Sequence, residues 1–117
     1  MVSISSMAAY MGFTGWLPYD MTKSGILGLT RGLAEEWKND NILVNSVAPG
    51  WFLTKLNEGM FEQNPDRRAA ALSKPMLPRF GKPVEIGYMM LFLLSGASTY
   101  LTGHDFAVDG GAPSHGF

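Results

Sequence analysis

One stretch constrains the fold more than any other: two β-branched runs separated by a long apolar-periodic segment. Met1–Ser6 (MVSISS) contains no turn residue and reads as a strand already under way at the first residue. From Met7 to Leu17 small residues, Gly12, Gly15 and aromatics break any period, so a loop is expected there, ending at Pro18. Pro18 suits the first turn of a helix, where its missing N–H costs nothing. Met21, Ile26, Leu29, Leu33 and Trp37 then follow at helical spacing as far as Lys38. Asn39-Asp40-Asn41 makes a polar turn. Ile42–Ala48 (ILVNSVA) then reads as a strand buried on both faces and ended by Pro49-Gly50. Two strands joined through so long a helix run parallel, with a right-handed crossover, which places the chain in the α/β class.

The remaining segments add detail. Gly25, Gly28 and Gly32 lie inside the long helix, each costing up to ~1 kcal/mol relative to Ala. Such losses are usually accepted where another backbone comes close, so this face is expected to be packed. Trp51–Leu77 mixes aromatics, charges and Met; one or two short helices are expected in it, and connections of this length often act as lids. Pro83 can start a further helix through the apolar run Tyr88–Leu94 to Ser95, with Gly96 at the position that ends helices. That helix is apolar nearly all round, which predicts burial on more than one side, inside a larger domain or between subunits. Asp105–Asp109 (DFAVD) reads as a third strand, followed by Gly110-Gly111 and a loose tail.

Composition excludes several classes. With 9 Lys and Arg against 10 Asp and Glu, net −1, nucleic-acid binding by charge is not expected. Charged residues make up 16% of the chain. Ordinary domains carry roughly 25%, so part of the surface is expected to be covered, most simply by oligomerisation. Without Cys, and with only His104 and His115, no thiolate or imidazole metal site is expected, and a cytoplasmic setting fits. Tyr88–Leu94 falls far short of the ~20 residues that span a bilayer, and no basic-then-apolar leader opens the chain, so neither membrane nor export is expected.

Tyr19 and Lys23 lie four apart near the start of the long helix and so share one face. Taken alone, the spacing also fits an ordinary amphipathic surface. Ser6 precedes Tyr19 by thirteen residues, at the C-terminal end of the first strand, where open parallel sheets place ligands. The second strand ends at the same edge, in Pro49-Gly50-Trp51-Phe52-Leu53-Thr54.

In order along the chain stand Ile4-Ser5-Ser6, Tyr19-Asp20-Met21-Thr22-Lys23-Ser24, VNSVAPG at 44–50, Thr54, RFGKPVEI at 79–86, Leu93-Leu94-Ser95, YLTG at 100–103 and VDGG at 108–111. This ordered set resembles the C-terminal half of a short-chain dehydrogenase/reductase of the Tyr-x-x-x-Lys type. The resemblance implies a Rossmann-like parallel sheet with flanking helices, present as its C-terminal part of about three strands. It further implies an NAD(P)-dependent oxidoreductase that interconverts a secondary alcohol and a ketone. The cofactor would be NAD or NADP and the substrate a small molecule; separately, the Gly25/Gly28/Gly32 helix and the Pro83–Ser95 helix are expected to form a homodimer or homotetramer. Tyr19 would be the general acid/base on the substrate oxygen. Lys23 would bind the nicotinamide ribose and lower the tyrosine pKa, and Ser6 would hold the substrate oxygen. At the turn Pro49–Thr54, Gly50 would let the backbone approach a flat ring, while the main chain at Phe52 and the hydroxyl of Thr54 would contact carboxamide and phosphates. For Thr54 the alternative is a cap on the next helix.

The family's Gly-rich loop, its residue choosing between NAD and NADP, and its catalytic Asn have no counterpart in the sequence. Residues 1–117 are therefore expected to be the catalytic and substrate portion of a single domain whose N-terminal dinucleotide-binding portion is absent. The other reading is a truncated, non-catalytic fragment that serves only as an interaction or oligomerisation module.

Physical chemistry fits the roles that the resemblance implies. A free phenol, with a pKa near ~10, is a poor base at neutral pH. An ammonium at ~4 Å in an effective dielectric of ~20 is worth roughly 4 kcal/mol, or about three pK units before its own desolvation. A phenol tuned this way can give a proton to a carbonyl oxygen and take it back from an alcohol. Ser6 can add a hydroxyl donor where charge develops, or else bond its own backbone at the loop entry. The backbone role is the one expected of Ser5. Asp109-Gly110-Gly111 is read as a turn plus subunit packing, and His104 as structural. Met60, Phe61, Met76 and Leu77 form either a substrate lid or ordinary core. Lys55, Arg67, Arg68 and Lys74 either favour a polar substrate such as a polyol or sugar acid, or are simply solvated.

Overall fold

The computed structural model describes residues 1–115. It contains strands β1 (Val2–Ile4), β2 (Asn45–Pro49) and β3 (Asp105–Val108), and helices α1 (Leu17–Glu36), α2 (Glu58–Gln63), α3 (Pro65–Leu72) and α4 (Pro83–Leu94). The strands form one sheet in the order β1-β2-β3 with every pairing parallel: Ile4 lies opposite Val47, Ser46 opposite Asp105, and Pro49 opposite Val108. Central β2 is buried from Asn45 to Ala48, as its two-sided apolar pattern requires. Its one amide side chain is satisfied there. Asn45 Nδ2 donates to the Leu101 carbonyl (2.8 Å), and Oδ1 accepts from His104 N–H (3.2 Å).

Strand and helix limits differ from the sequence reading for local reasons. β1 closes at Ile4, not Ser6, because Ser6 opens a 3₁₀ turn over Met7–Ala9. β2 begins at Asn45 rather than Ile42, because the YLTG segment takes the polar groups of Val44. The Val44 N–H donates to the Thr102 hydroxyl (3.0 Å), and its carbonyl accepts from Gly103 N–H (2.7 Å). Gly96 does not stop α4. Ser95 does, in an extended conformation, its hydroxyl accepting from Ala97 N–H while Gly96 opens another 3₁₀ turn. The tail expected to be loose folds as a turn over Ala112–Ser114, and His115 Nδ1 lies 2.9 Å from the Lys74 carbonyl. The end of that tail, 116–117, lies outside the described residues.

Two faces expected to be packed are open. A Cβ at Gly25, Gly28 or Gly32 meets nothing within 4 Å, because α1 turns Thr30 and Ala34 inward and its glycine stripe outward. On α4 only Leu93 is buried, while Val84, Tyr88, Leu91 and Leu94 are each more than half exposed. One sheet can cover only one side of a helix that is apolar all round. Among the described residues no helix is long and apolar enough to cross a membrane.

Candidate active site

Parallel pairing brings the carboxyl ends of all three strands to one edge, and α1 begins there. Its first turn is set by Pro18 and by Asp20, whose Oδ2 accepts from Phe13 N–H at 3.3 Å. One turn on, Lys23 Nζ donates to the carbonyl of Ile4, the last residue of β1, at 2.9 Å. The same ammonium stands 5.6 Å from the centroid of the Tyr19 ring. The ring of Tyr19 is 41% exposed and meets Trp16 edge-on at 5.6 Å. Ser6 follows Ile4 by two residues and is buried. Its Oγ accepts from Ala8 N–H (3.1 Å), and among the described residues its O–H finds no acceptor. Lys23 thus links the end of β1 to the Tyr19 ring, and Ser6, two residues beyond Ile4, keeps a proton with no acceptor among the described residues.

The Ser5 hydroxyl lies 3.1 Å from the Val47 carbonyl, a main-chain contact of the kind expected of it, but it has a second partner. Ser6 makes the local backbone bond, whereas Ser5 reaches across the sheet and donates to Asp105 Oδ1 at 2.7 Å. Asp105 gathers two further hydroxyls: Ser46 on the same oxygen, and Tyr10 on Oδ2 at 2.7 Å. Burial first, and then the hydrogen bond and charge of Asp105, push the Tyr10 phenol up to about 12. This clasp ties β3 to β2 and to both ends of the segment that carries Ser6. Neither Asp105 nor Tyr10 stood out in the sequence; the available signal was an acid opening an otherwise apolar strand.

Much of the Pro49–Thr54 turn is occupied by the protein itself. A Cβ at Gly50 would lie 2.6 Å from Asp109 Cα, so the residue that follows β3 already requires a glycine here, and Pro49 pairs with Val108. Phe52 is buried with its ring over Gly81, where a Cβ would come within 2.3 Å. Its carbonyl accepts from Asn57 Nδ2 at 2.8 Å. Thr54 does not cap α2. Asn57 occupies the cap, its Oδ1 accepting from Thr54 N–H (2.8 Å), and the exposed Thr54 hydroxyl has no partner among the described residues. The unspent groups at this edge, namely the remaining Lys23 donors and the Ser6, Tyr19 and Thr54 hydroxyls, suit a polyhydroxylated ribose and a carbonyl oxygen.

The lid question divides by residue. Phe61 on α2 is core at 1% exposure, edge-on to Trp51 (5.7 Å) and tilted against Phe80 (4.9 Å). Met76 and Leu77 stay half exposed beside Gly110 and Gly111, whose positive φ values (67° and 83°) make the turn expected of VDGG. His104 is structural, with Nδ1 2.7 Å from the Thr102 carbonyl.

The family model described as Enoyl-(Acyl carrier protein) reductase matches residues 1–113. The chain belongs to the short-chain dehydrogenase/reductase family. It is 41% identical over 110 residues to the 3-oxoacyl-[acyl-carrier-protein] reductase FabG of Thermotoga maritima, a match covering 94% of this chain and 44% of that protein. It superposes on 4-hydroxyisoleucine dehydrogenase complexed with NADH with a TM-score of 0.92 at 30% identity, covering 98% of this chain and 47% of the other. On ElxO with NADP bound the TM-score is 0.88 at 29% identity, covering 97% and 46%. The chain therefore spans less than half the length of these short-chain dehydrogenases/reductases, and its sheet is a Rossmann-like one.

Proposed function

We propose that the chain is the catalytic and substrate-binding portion of a longer Rossmann-like domain, and that this domain interconverts a secondary alcohol and a ketone with NAD or NADP. The observation that carries the reading is Lys23, held by the Ile4 carbonyl and 5.6 Å from the Tyr19 ring, at a strand end that leads within two residues to a buried serine whose proton has no acceptor among the described residues. A bound nicotinamide supplies or removes the hydride. Tyr19 gives its proton to the carbonyl oxygen in reduction and recovers it in oxidation. Ser6 donates a hydrogen bond to that same oxygen, where negative charge gathers. Lys23 contributes its positive charge beside the phenol and offers its remaining donors to the ribose. Thr54 offers a hydroxyl to the carboxamide or phosphates, and the main chain at Pro49, Gly50 and Phe52 forms the wall behind it. The similar solved structures that hold NADH and NADP support both cofactors. A cytoplasmic setting belongs to the same reading.

The open glycine stripe of α1 and the open face of α4 support assembly as a homodimer or homotetramer, and they favour a second reading in which the chain acts only as an oligomerisation module. Titration with NADH and NADPH, followed by nicotinamide fluorescence, separates the two. The catalytic reading expects a saturable signal, weakened in Lys23→Met. A flat titration removes catalysis by this chain and leaves the module.

A further inference from the structure

Beside Tyr19 lies a cavity of about 180 Å³ lined by Phe13, Thr14, Trp16, Trp51, Arg67 and Lys74. Trp16 is the wall it shares with Tyr19. The other rings stand close: Phe13 is 5.7 Å from Trp16 and 6.1 Å from Trp51, and the two tryptophans are 6.1 Å apart. An apolar cavity of about 150 Å³ takes one benzene ring, so this space fits a small ring or a short carbon chain.

The charges on the lining are all positive. The Arg67 guanidinium lies 5.8 Å over the Trp16 ring, Lys74 is the other cation, and no acidic side chain lines the cavity. Among the described residues neither cation has a carboxylate partner; the ion pairs are Lys38 with Glu35 and Arg79 with Glu85. A guanidinium resting on an aromatic face is held in place while its N–H donors stay available for a planar carboxylate.

We propose that this cavity receives the non-reacting end of the substrate and that this end is anionic. The substrate class is then a small hydroxy acid and its oxo acid, with the carbon skeleton against the walls formed by Phe13, Trp16 and Trp51 and the carboxylate on Arg67 and Lys74. The inference rests on Tyr19 as the acid/base and deepens that reading by naming what Tyr19 acts upon. The aromatic walls set the size of the skeleton, and the cations set the charge, because a neutral analogue leaves both of them unpaired.

The chain carries three tryptophans, and in Trp37→Phe the remaining two line the cavity. That variant is titrated with phenylacetate and with phenylacetamide, probes of the same shape that differ in charge, and tryptophan fluorescence is read. Phenylacetate is expected to bind saturably and at least about tenfold tighter than the amide, the equivalent of one charge-assisted hydrogen bond. Arg67→Gln and Lys74→Gln, each checked for fold by circular dichroism, should each weaken it by about the same factor. No saturable response, equal affinity for the two probes, or unchanged affinity in both variants overturns the proposal. Displacement of phenylacetate by NADH overturns it too, by assigning the cations to the cofactor. Nicotinamide fluorescence reads the oxidoreductase reading separately: if NADH binds and phenylacetate does not, only the substrate class falls.

Discussion

Replacing Asp105 with alanine removes one acceptor from three hydroxyls at once, and the structure says how unequal the three losses are. Ser46 is fully buried, and among the described residues its hydroxyl has no other partner, so it is stranded at a cost of ~1–3 kcal/mol. Ser5 is also buried but lies 3.1 Å from the Val47 carbonyl, which can take over its proton, so its loss is that of one ordinary hydrogen bond, ~0.5–1.5 kcal/mol. Tyr10 is half exposed and turns to water at little cost. Asp105→Ala should therefore lose ~2–4 kcal/mol, seen as a lower urea midpoint at unchanged slope. Asp105→Asn keeps an acceptor oxygen and should lose about half of that. In both variants spectrophotometric titration should move the Tyr10 phenol down from about 12, though not fully, since burial is the larger cause of its shift. An alanine variant within ~0.5 kcal/mol of the parent would refute the clasp.

Gly50→Ala places a Cβ 2.6 Å from a backbone carbon that cannot rotate away, so a loss of ~1–3 kcal/mol is expected in chemical denaturation. Gly28→Ala meets nothing within 4 Å and should instead stabilise the unassociated chain by up to ~1 kcal/mol; light scattering of the same variant reports whether the stripe carries assembly. At low pH the Arg79 guanidinium and the Lys82 N–H hold Glu85 down to about 2, against an ordinary 4.5. The stabilising effect is present above 4.5 and lost as pH falls towards 2; Glu85→Gln should remove this acid limb from a plot of Tm against pH. At high pH the sign reverses. Tyr10 favours the folded state while neutral, so stability is full below pH 10 and declines as pH rises through about 12, and Tyr10→Phe should flatten that decline.

How much of this was legible in the sequence follows from the kind of information each feature needs. The parallel α/β class rested on local periodicity, and a strand, a long helix and a strand allow few topologies. Tyr19 and Lys23 share a face through helical spacing alone. The hydrogen bond from Ser5 to Asp105 was not legible, because it depends on an acid arriving from a hundred residues away. The same applies to Gly50, whose bare Cα serves Asp109, and to Phe52, which packs on Gly81. The composition of the glycine stripe and of α4 demands cover, but one chain's sheet supplies only one side.

In the proposed reaction the Tyr19 oxygen moves the proton that accompanies hydride transfer. The most direct measurement compares Tyr19→Phe with the parent in carbonyl-dependent oxidation of NADH or NADPH, with cofactor affinity measured alongside. The rate is expected to fall by at least about a hundredfold at nearly unchanged affinity. A phenylalanine variant that keeps a rate near the parent's would contradict it.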